Sequence, residues 1–430
     1  MVAGGMRNSS DERSDSSGNL GRVGVVGAGI VGLCTAYYLR RAGCKVVVID
    51  RELPGSQCSS GNAGALSSRS VAPLSMPGIV GTAMKMMLDP TGPLYLPPIY
   101  ALQAMPWLLR FIAASKAPRV AAIAAALNSL LVDSIPLHRE LARDIGCPQR
   151  VGDTGQLHLY PDEAALAKDA GSWALKMQYG ETVERLDRAG IQAMEPAIDD
   201  RYGVGLFLPE AAWVSQPYRY AMALADKLHD MGVEIVQDEV RGLTPDSDGW
   251  TIAAAGGSHR VDEVVVAAGA WSAKLLGTLG VKVPLETQRG YHLSIPSPGM
   301  SVSRTVVLAD RKVFITPMED GLRVAGTVEY GGLKRAPSAP RAALLGKHAK
   351  AGLKGLDLSQ GSTTWMGHRP CLPDSMPVIG EVPAHPGLWT AFGHGHLGLT
   401  GSAPTGKLLA EVMTGSASAE RLAPFSITRF

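Results

Sequence analysis

Val23-Gly24-Val25-Val26-Gly27-Ala28-Gly29-Ile30-Val31-Gly32, with Lys45-Val46-Val47-Val48-Ile49-Asp50 a dozen residues on, decides the fold. The run 23–26 has the β-branched density of a strand buried on both faces. Residues 29–41 keep a helical period, Gly43 stands where a helix end turns left-handed, and 45–49 form a second strand. Strand, Gly-rich turn, helix and strand make a βαβ unit. Gly27 permits the tight turn, Gly29 lets the backbone approach a pyrophosphate, and Gly32 lets helix and strand pack closely. The phosphates of a dinucleotide would rest on the helix start at Ile30 and Val31, where unpaired amides and the macrodipole favour negative charge. Asp50 follows Gly27 by 23 positions (50 − 27) and stands where a carboxylate accepts hydrogen bonds from a ribose.

This unit alone does not separate NAD from FAD, and the rest of the chain bears on the choice. An NAD dehydrogenase would continue in regular βα units, whereas here long insertions interrupt the first domain. The 430 residues exceed what one core usually holds, so two packed domains are expected. Residues 1–20 read as a disordered extension. The dinucleotide domain is expected over 21–81, 201–284 and 365–430. A substrate domain is expected over 82–200, mostly helical with a strand at 156–160, and over 285–364, as an antiparallel sheet. The fold class is therefore a Rossmann-type α/β domain interleaved with an α+β substrate domain. Lys plus Arg number 41 against 39 Asp plus Glu, which gives no field for a nucleic-acid backbone. Five scattered cysteines without C-x-x-C spacing fit a reducing, cytoplasmic setting. No uninterrupted apolar run is long enough to span a bilayer; the best, 99–114, contains Pro106 and Arg110. The segment 94–119, apolar with Arg110, Lys116 and Arg119, has two readings: a helix packed on its own domain, or a peripheral contact with the inner face of a membrane.

Later motifs settle the cofactor. Ser59-Ser60-Gly61-Asn62-Ala63-Gly64, Gly367-His368-Arg369-Pro370, Pro377-Val378-Ile379-Gly380 and Gly393-His394-Gly395-His396-Leu397-Gly398-Leu399-Thr400 stand in an order that resembles the D-amino acid oxidase/dehydrogenase superfamily of FAD-dependent oxidoreductases. Arg289-Gly290-Tyr291-His292 and the 316–329 segment are most similar to bacterial D-amino acid and D-hydroxyproline dehydrogenases. The resemblance implies FAD, with Gly27, Gly29, Gly32, Asp50 and Arg51 on its ADP half. Ser60, Asn62, Ala63 and Gly64 would lie near the pyrophosphate and flavin, Val240 near the adenine, and Ala268 and Gly269 beside the dinucleotide. Gly395, Leu397, Gly398, Leu399 and Thr400 would offer amides to the flavin pyrimidine edge, and glycines before a helix suit backbone brought close to a ligand.

The same resemblance places Arg369 on the substrate carboxylate, a role that suits a guanidinium fork. Tyr291 and His292 fall in a strand that lines the substrate pocket in relatives, and Tyr291 is expected to hold the carboxylate together with Arg369. His396 stands where some relatives carry a second arginine, and it is read either as a carboxylate partner or as a packed residue. Cys371 is offset from the cysteine that attaches flavin in sarcosine oxidases, so non-covalent FAD is expected. His138, His158, His229, His259, His348 and His385 lack metal-ligand spacing and read as surface residues; no metal is expected. The implied reaction is hydride transfer from the α-carbon of a D-amino acid, or of a cyclic imino acid such as D-proline or hydroxyproline, with a quinone or another electron acceptor. The alternative is demethylating oxidation of an N-methyl amino acid.

Overall fold

Alternation along the first strands sorts their side chains between two cores. Val23, Val25, Val46, Val48 and Val265 enter one apolar cluster. Val26, Val47, Ile49, Val264 and Val266 enter another, the period-two pattern of strands buried on both faces. In the computed structural model, which describes residues 21–89 and 92–430, these strands form a six-stranded sheet. Its order is Glu234–Gln237, Lys45–Asp50, Arg22–Val26, Glu263–Val266, Leu388–Phe392, Val378–Glu381. All neighbours are parallel except the last pair. Helices Ile30–Arg41, Pro217–Asp230 and Ser402–Met413 cover one face, and the antiparallel meander Val240–Asp246, Gly249–Ala254, Ser258–Val261 covers the other. Three separate stretches of chain therefore build this Rossmann-type layer. The extension expected at residues 1–20 lies outside the described residues.

The second sheet has nine strands and runs Thr363–Cys371, Glu286–Ile295, Gly321–Tyr330, Val313–Met318, Thr305–Leu308, Gln156–Tyr160, Val204–Leu208, Glu184–Asp187, with Leu94–Tyr95 added beside Gly321–Tyr330. An antiparallel sheet was expected here, and the sheet departs from that at two pairs. Gln156–Tyr160 pairs parallel with Thr305–Leu308, and Leu94–Tyr95 parallel with Gly321–Tyr330. Both partners are distant in sequence, so no hairpin dictates their direction. Helix Ala339–Gly352 covers one face, with its Leu345 in the same core as Leu293, Ile295 and Val324 of the sheet, and the other face turns toward the first domain.

The stretch 82–200, read as one part of the second domain, is divided. Helices Ala117–Leu131 and Ser134–Asp144 put Ile123, Leu127, Leu130 and Leu141 into the core of the first domain. Together, residues 117–144 are long and apolar enough to cross a membrane by length and composition, yet 56 % of the most apolar window is buried inside the protein. Strand Val204–Leu208, expected with the first domain, belongs to the second sheet, as does Thr363–Cys371.

Candidate active site

The two sheets enclose one continuous cleft of about 1410 Å³. At its Rossmann end Gly27 has φ +116°, and a Cβ there would meet the Ala267 carbonyl oxygen at 2.4 Å. A Cβ on Gly32 would strike the Gly27 carbonyl oxygen at 1.9 Å, so Gly32 serves packing and does not line the cleft. Gly29 and Gly269 are open: the first has only Ser59 Oγ within reach, at 3.5 Å, and the second has nothing within 4 Å. The helix that begins at Ile30 has no acidic residue in its first turn and, its N-cap being Gly29, no cap of its own; Ser59 Oγ accepts from the Ile30 amide at 2.9 Å, and the other amides of the first turn leave its positive end for an anion. Ile30 and Val31 line the cleft there. Asp50 accepts from the backbone amides of Ala28, at 2.6 Å, and Glu52, at 3.0 Å. Those bonds fix its carboxylate at the cleft wall beside Arg51, whose guanidinium lies 4.4 Å over the Trp271 ring. Val240, Ala268, Asn62 and Ala63 also line the cleft, as do Gly395, Leu397, Gly398, Leu399 and Thr400.

The 59–64 loop is gripped from the second sheet. Buried Arg323 donates through Nη1 to the carbonyls of Ser60, at 2.9 Å, and Asn62, at 2.8 Å. His292 Nδ1 meets the Gly61 carbonyl at 3.1 Å, and its ring stacks on Trp365 at 5.0 Å. His292 therefore lies behind the cleft wall, and burial holds its imidazole low, at about 4. Ser60 turns its hydroxyl to the carbonyls of Ser56 and Gln57. Gly64, at φ +81°, packs a Cβ position 2.5 Å from the Val214 carbonyl oxygen. Neither lines the cleft.

At the other end, Arg369 lies across Gly290, where a Cβ would meet its Cζ at 2.2 Å. Its Nη1 donates to the Thr327 carbonyl at 3.0 Å, and no carboxylate among the described residues pairs with it. Thr327 adopts φ +58°, a costly conformation for a β-branched residue, and its buried hydroxyl has no partner. Tyr291 contributes to the cleft wall, but its hydroxyl is committed away from Arg369: it donates to Glu329 and accepts from the Ser338 amide at 2.9 Å. Arg289 is fully buried in the same network, 3.7 Å from Glu329. A register shift between Arg289 and Tyr291 sets these directions. His396 faces the cleft. Its side chain is exposed into the cleft, where desolvation by the surrounding walls, then the charges of Arg369 and Lys176, hold its imidazole below the usual histidine value.

A family model described as FAD dependent oxidoreductase matches residues 22–412. The chain belongs to this family. The FAD-dependent oxidoreductases similar to it include a D-amino-acid oxidase from Bradyrhizobium diazoefficiens, 37% identical over 95% of this chain and 98% of the relative. A D-amino acid dehydrogenase from the same organism is 31% identical over 95% and 99%. Among solved structures, glycine oxidase from Geobacillus kaustophilus has a TM-score of 0.72 at 25% identity, covering 95% of this chain and 99% of that one. L-proline dehydrogenase from P. horikoshii, at 17% identity and a TM-score of 0.71 over 96% and 98%, shares the fold. The protein is thus an FAD-dependent oxidoreductase of amino-acid CH–NH groups, and the glycine cradle and helix N-terminus fit that cofactor.

Within this oxidoreductase, several groups at the cleft escaped the sequence reading. Trp365 fills the space that Gly61 and Gly367 leave, since a Cβ on either would fall 2.0 Å from its ring; the two glycines were the signal. Arg323 and Ser59 gave none, because their partners are remote in sequence. Cys58 lines the cleft with its thiol raised by burial, Arg369 opposing. Cys371 is buried, its thiol pushed up to about 12 by burial. Three histidines read as surface residues, His138, His158 and His348, are buried, because strand and helix faces, not residue type, set their exposure.

Proposed function

We propose that this enzyme removes the α-hydrogen of a D-amino acid, or of a cyclic imino acid such as D-proline or hydroxyproline, as hydride. The observation that carries the reading is Arg369, a cation in the cleft with no carboxylate partner among the described residues, spread across Gly290 and aimed by the Thr327 carbonyl. Its fork holds the substrate carboxylate. Tyr291 and Arg289 are engaged elsewhere, so Arg369 performs this task without them. His396, neutral, meets the substrate amine without adding a second cation. Bound FAD, held non-covalently, supplies the acceptor for the hydride and its electron pair. The iminium left behind loses a proton and hydrolyses to a 2-oxo acid, or remains as a cyclic imine.

The electron acceptor we infer is a quinone, met at the inner face of a membrane on the cytoplasmic side. Helix Pro98–Ala114 turns Met105, Leu108, Phe111 and Ile112 into the cleft while Ile99, Leu102 and Leu109 are exposed on its outer side. That arrangement supports an apolar route from a lipid surface to the cofactor.

The test is anaerobic bleaching of the yellow holoenzyme by a panel of D-amino acids, D-proline, hydroxyproline and N-methyl amino acids, with acid precipitation to release the flavin. Bleaching by D-amino or cyclic imino acids without formaldehyde is the expected result. Formaldehyde from N-methyl substrates, as the main activity, would replace this reading with demethylation.

A further inference from the structure

Beyond Arg369 and His396 the cleft continues into a polar compartment. Strand Gln156–Tyr160 presents Gln156, His158 and Tyr160 to it, and helix Ala170–Gln178 presents Trp173 and Lys176. The Lys176 ammonium lies 4.4 Å over the Trp173 ring, and His158 meets the same ring edge-on at 4.9 Å. Trp173 itself is fixed, because its Nε1 donates to the Tyr160 hydroxyl at 2.8 Å. His158 is nine-tenths buried, yet its Nε2 has no hydrogen-bond partner.

The nearby charges are unevenly engaged. Asp169 is bound by Lys312, at 3.0 Å, and by the Tyr160 hydroxyl, at 3.1 Å. Glu181 acts on Lys176 only from beyond ion-pair distance, and its own carboxyl is raised by burial. Lys176 thus has an aromatic face but no carboxylate of its own among the described residues, and burial lowers its ammonium. A cation so placed gains most from an anion brought by the ligand. Lys176, Arg369 and His396 line the same cleft, and both cations act on the His396 imidazole.

We propose that Lys176 and the free Nε2 of His158 form a second anion subsite in the substrate cleft, selecting amino acids whose side chain ends in a carboxylate. The subsite rests on the amino-acid reading of Arg369: one carboxylate meets that guanidinium, and the other meets Lys176. Proline-like substrates leave the compartment unfilled.

The experiment compares kcat/KM of the holoenzyme for D-aspartate and D-glutamate against their amides D-asparagine and D-glutamine. Wild type should prefer the acids by at least tenfold. Lys176→Gln should erase most of that ratio through KM, and Lys176→Arg should restore part of it. Titrating the flavin absorbance with succinate and with butyrate reads the subsite without turnover; succinate should bind at least tenfold more tightly in wild type and lose that advantage in Lys176→Gln. If acids and amides are used equally and succinate binds no better than butyrate, the subsite is overturned while amino-acid oxidation stands. If no amino acid bleaches the flavin, the reaction reading fails, and the succinate-to-butyrate ratio still decides the subsite. A variant that misfolds leaves the wild-type ratios as the test.

Discussion

At the scale of single residues, the site depends on one guanidinium placed by a missing side chain. Gly290 has no Cβ, and the Arg369 fork occupies that space. Removing one partner of a buried charge pair costs on the order of 3–5 kcal/mol, roughly two to four decades in kcat/KM. Arg369→Ala should therefore lose that much against an amino acid, and much less against the corresponding amine without a carboxylate. Arg369→Lys keeps the charge but loses the fork, and should be impaired as well. Gly290→Ala keeps the arginine but displaces it, so it should raise KM while leaving the flavin spectrum intact. Wild-type preference for acid over amine in Arg369→Ala would show that another group anchors the carboxylate. Arg369 could be named from its motif, whereas the direction of Tyr291 could not. A strand alternates, but the irregularity between Arg289 and Tyr291 moves the tyrosine hydroxyl onto buried Glu329. A one-residue shift of this kind leaves no mark in the pattern of residue types.

At the scale of elements, two contacts tie the cofactor loops to distant segments. Arg323 holds the carbonyls of Ser60 and Asn62 from the second sheet. Hydrogen bonds from a charged group contribute about 1.5–3 kcal/mol, so Arg323→Met should weaken FAD binding by at least tenfold in a flavin-fluorescence titration. Unaltered affinity would make the clamp dispensable. The second contact is His138, fully buried on helix Ser134–Asp144, with Nε2 2.8 Å from the Leu399 carbonyl and Nδ1 3.1 Å from the Tyr220 hydroxyl. Burial lowers its imidazole to about 4. The unfolded chain takes up a proton near pH 6.5 that the folded protein refuses. The stability contributed by neutral His138 is thus complete above about pH 6.5 and is lost as pH falls toward 4, at up to about 1.4 kcal/mol per pH unit. His292 and His394, held low by burial at about 4 and about 3, act in the same direction. Urea midpoints and FAD retention should both fall between pH 7 and pH 5. His138→Gln should be less stable at pH 7 but show a flatter pH dependence; parallel curves for the two proteins would remove His138 from the explanation.

At the scale of the whole molecule, the βαβ unit at 22–50 was legible because strand, turn, helix and acid lie within one short window whose apolar periods agree. The assembly around it was less so. Helix Ala117–Leu131 joins the first core and strand Val204–Leu208 the second sheet, assignments that rest on contacts between remote segments and not on local periodicity. The outer face of helix Pro98–Ala114 could be read from sequence only as two alternatives. Its inner side packs Ala104, Trp107 and Ala114, while Ile99 and Leu102 are 89% and 77% exposed. So large an apolar stripe on a surface marks a site of contact. Exposed Arg110, Lys116 and Arg119 flank it, and each basic residue near an anionic leaflet adds about 1 kcal/mol. We expect the protein to sediment with vesicles containing anionic phospholipid and to be partly released by high salt. Leu102→Glu combined with Leu109→Glu should abolish sedimentation and slow turnover with a vesicle-embedded quinone. Turnover with a water-soluble acceptor should persist, because exposed substitutions usually change stability by no more than about 0.5 kcal/mol. Rapid stoichiometric peroxide formation in air, with no vesicle binding by wild type, would make oxygen the acceptor and leave this helix face without a role in electron transfer.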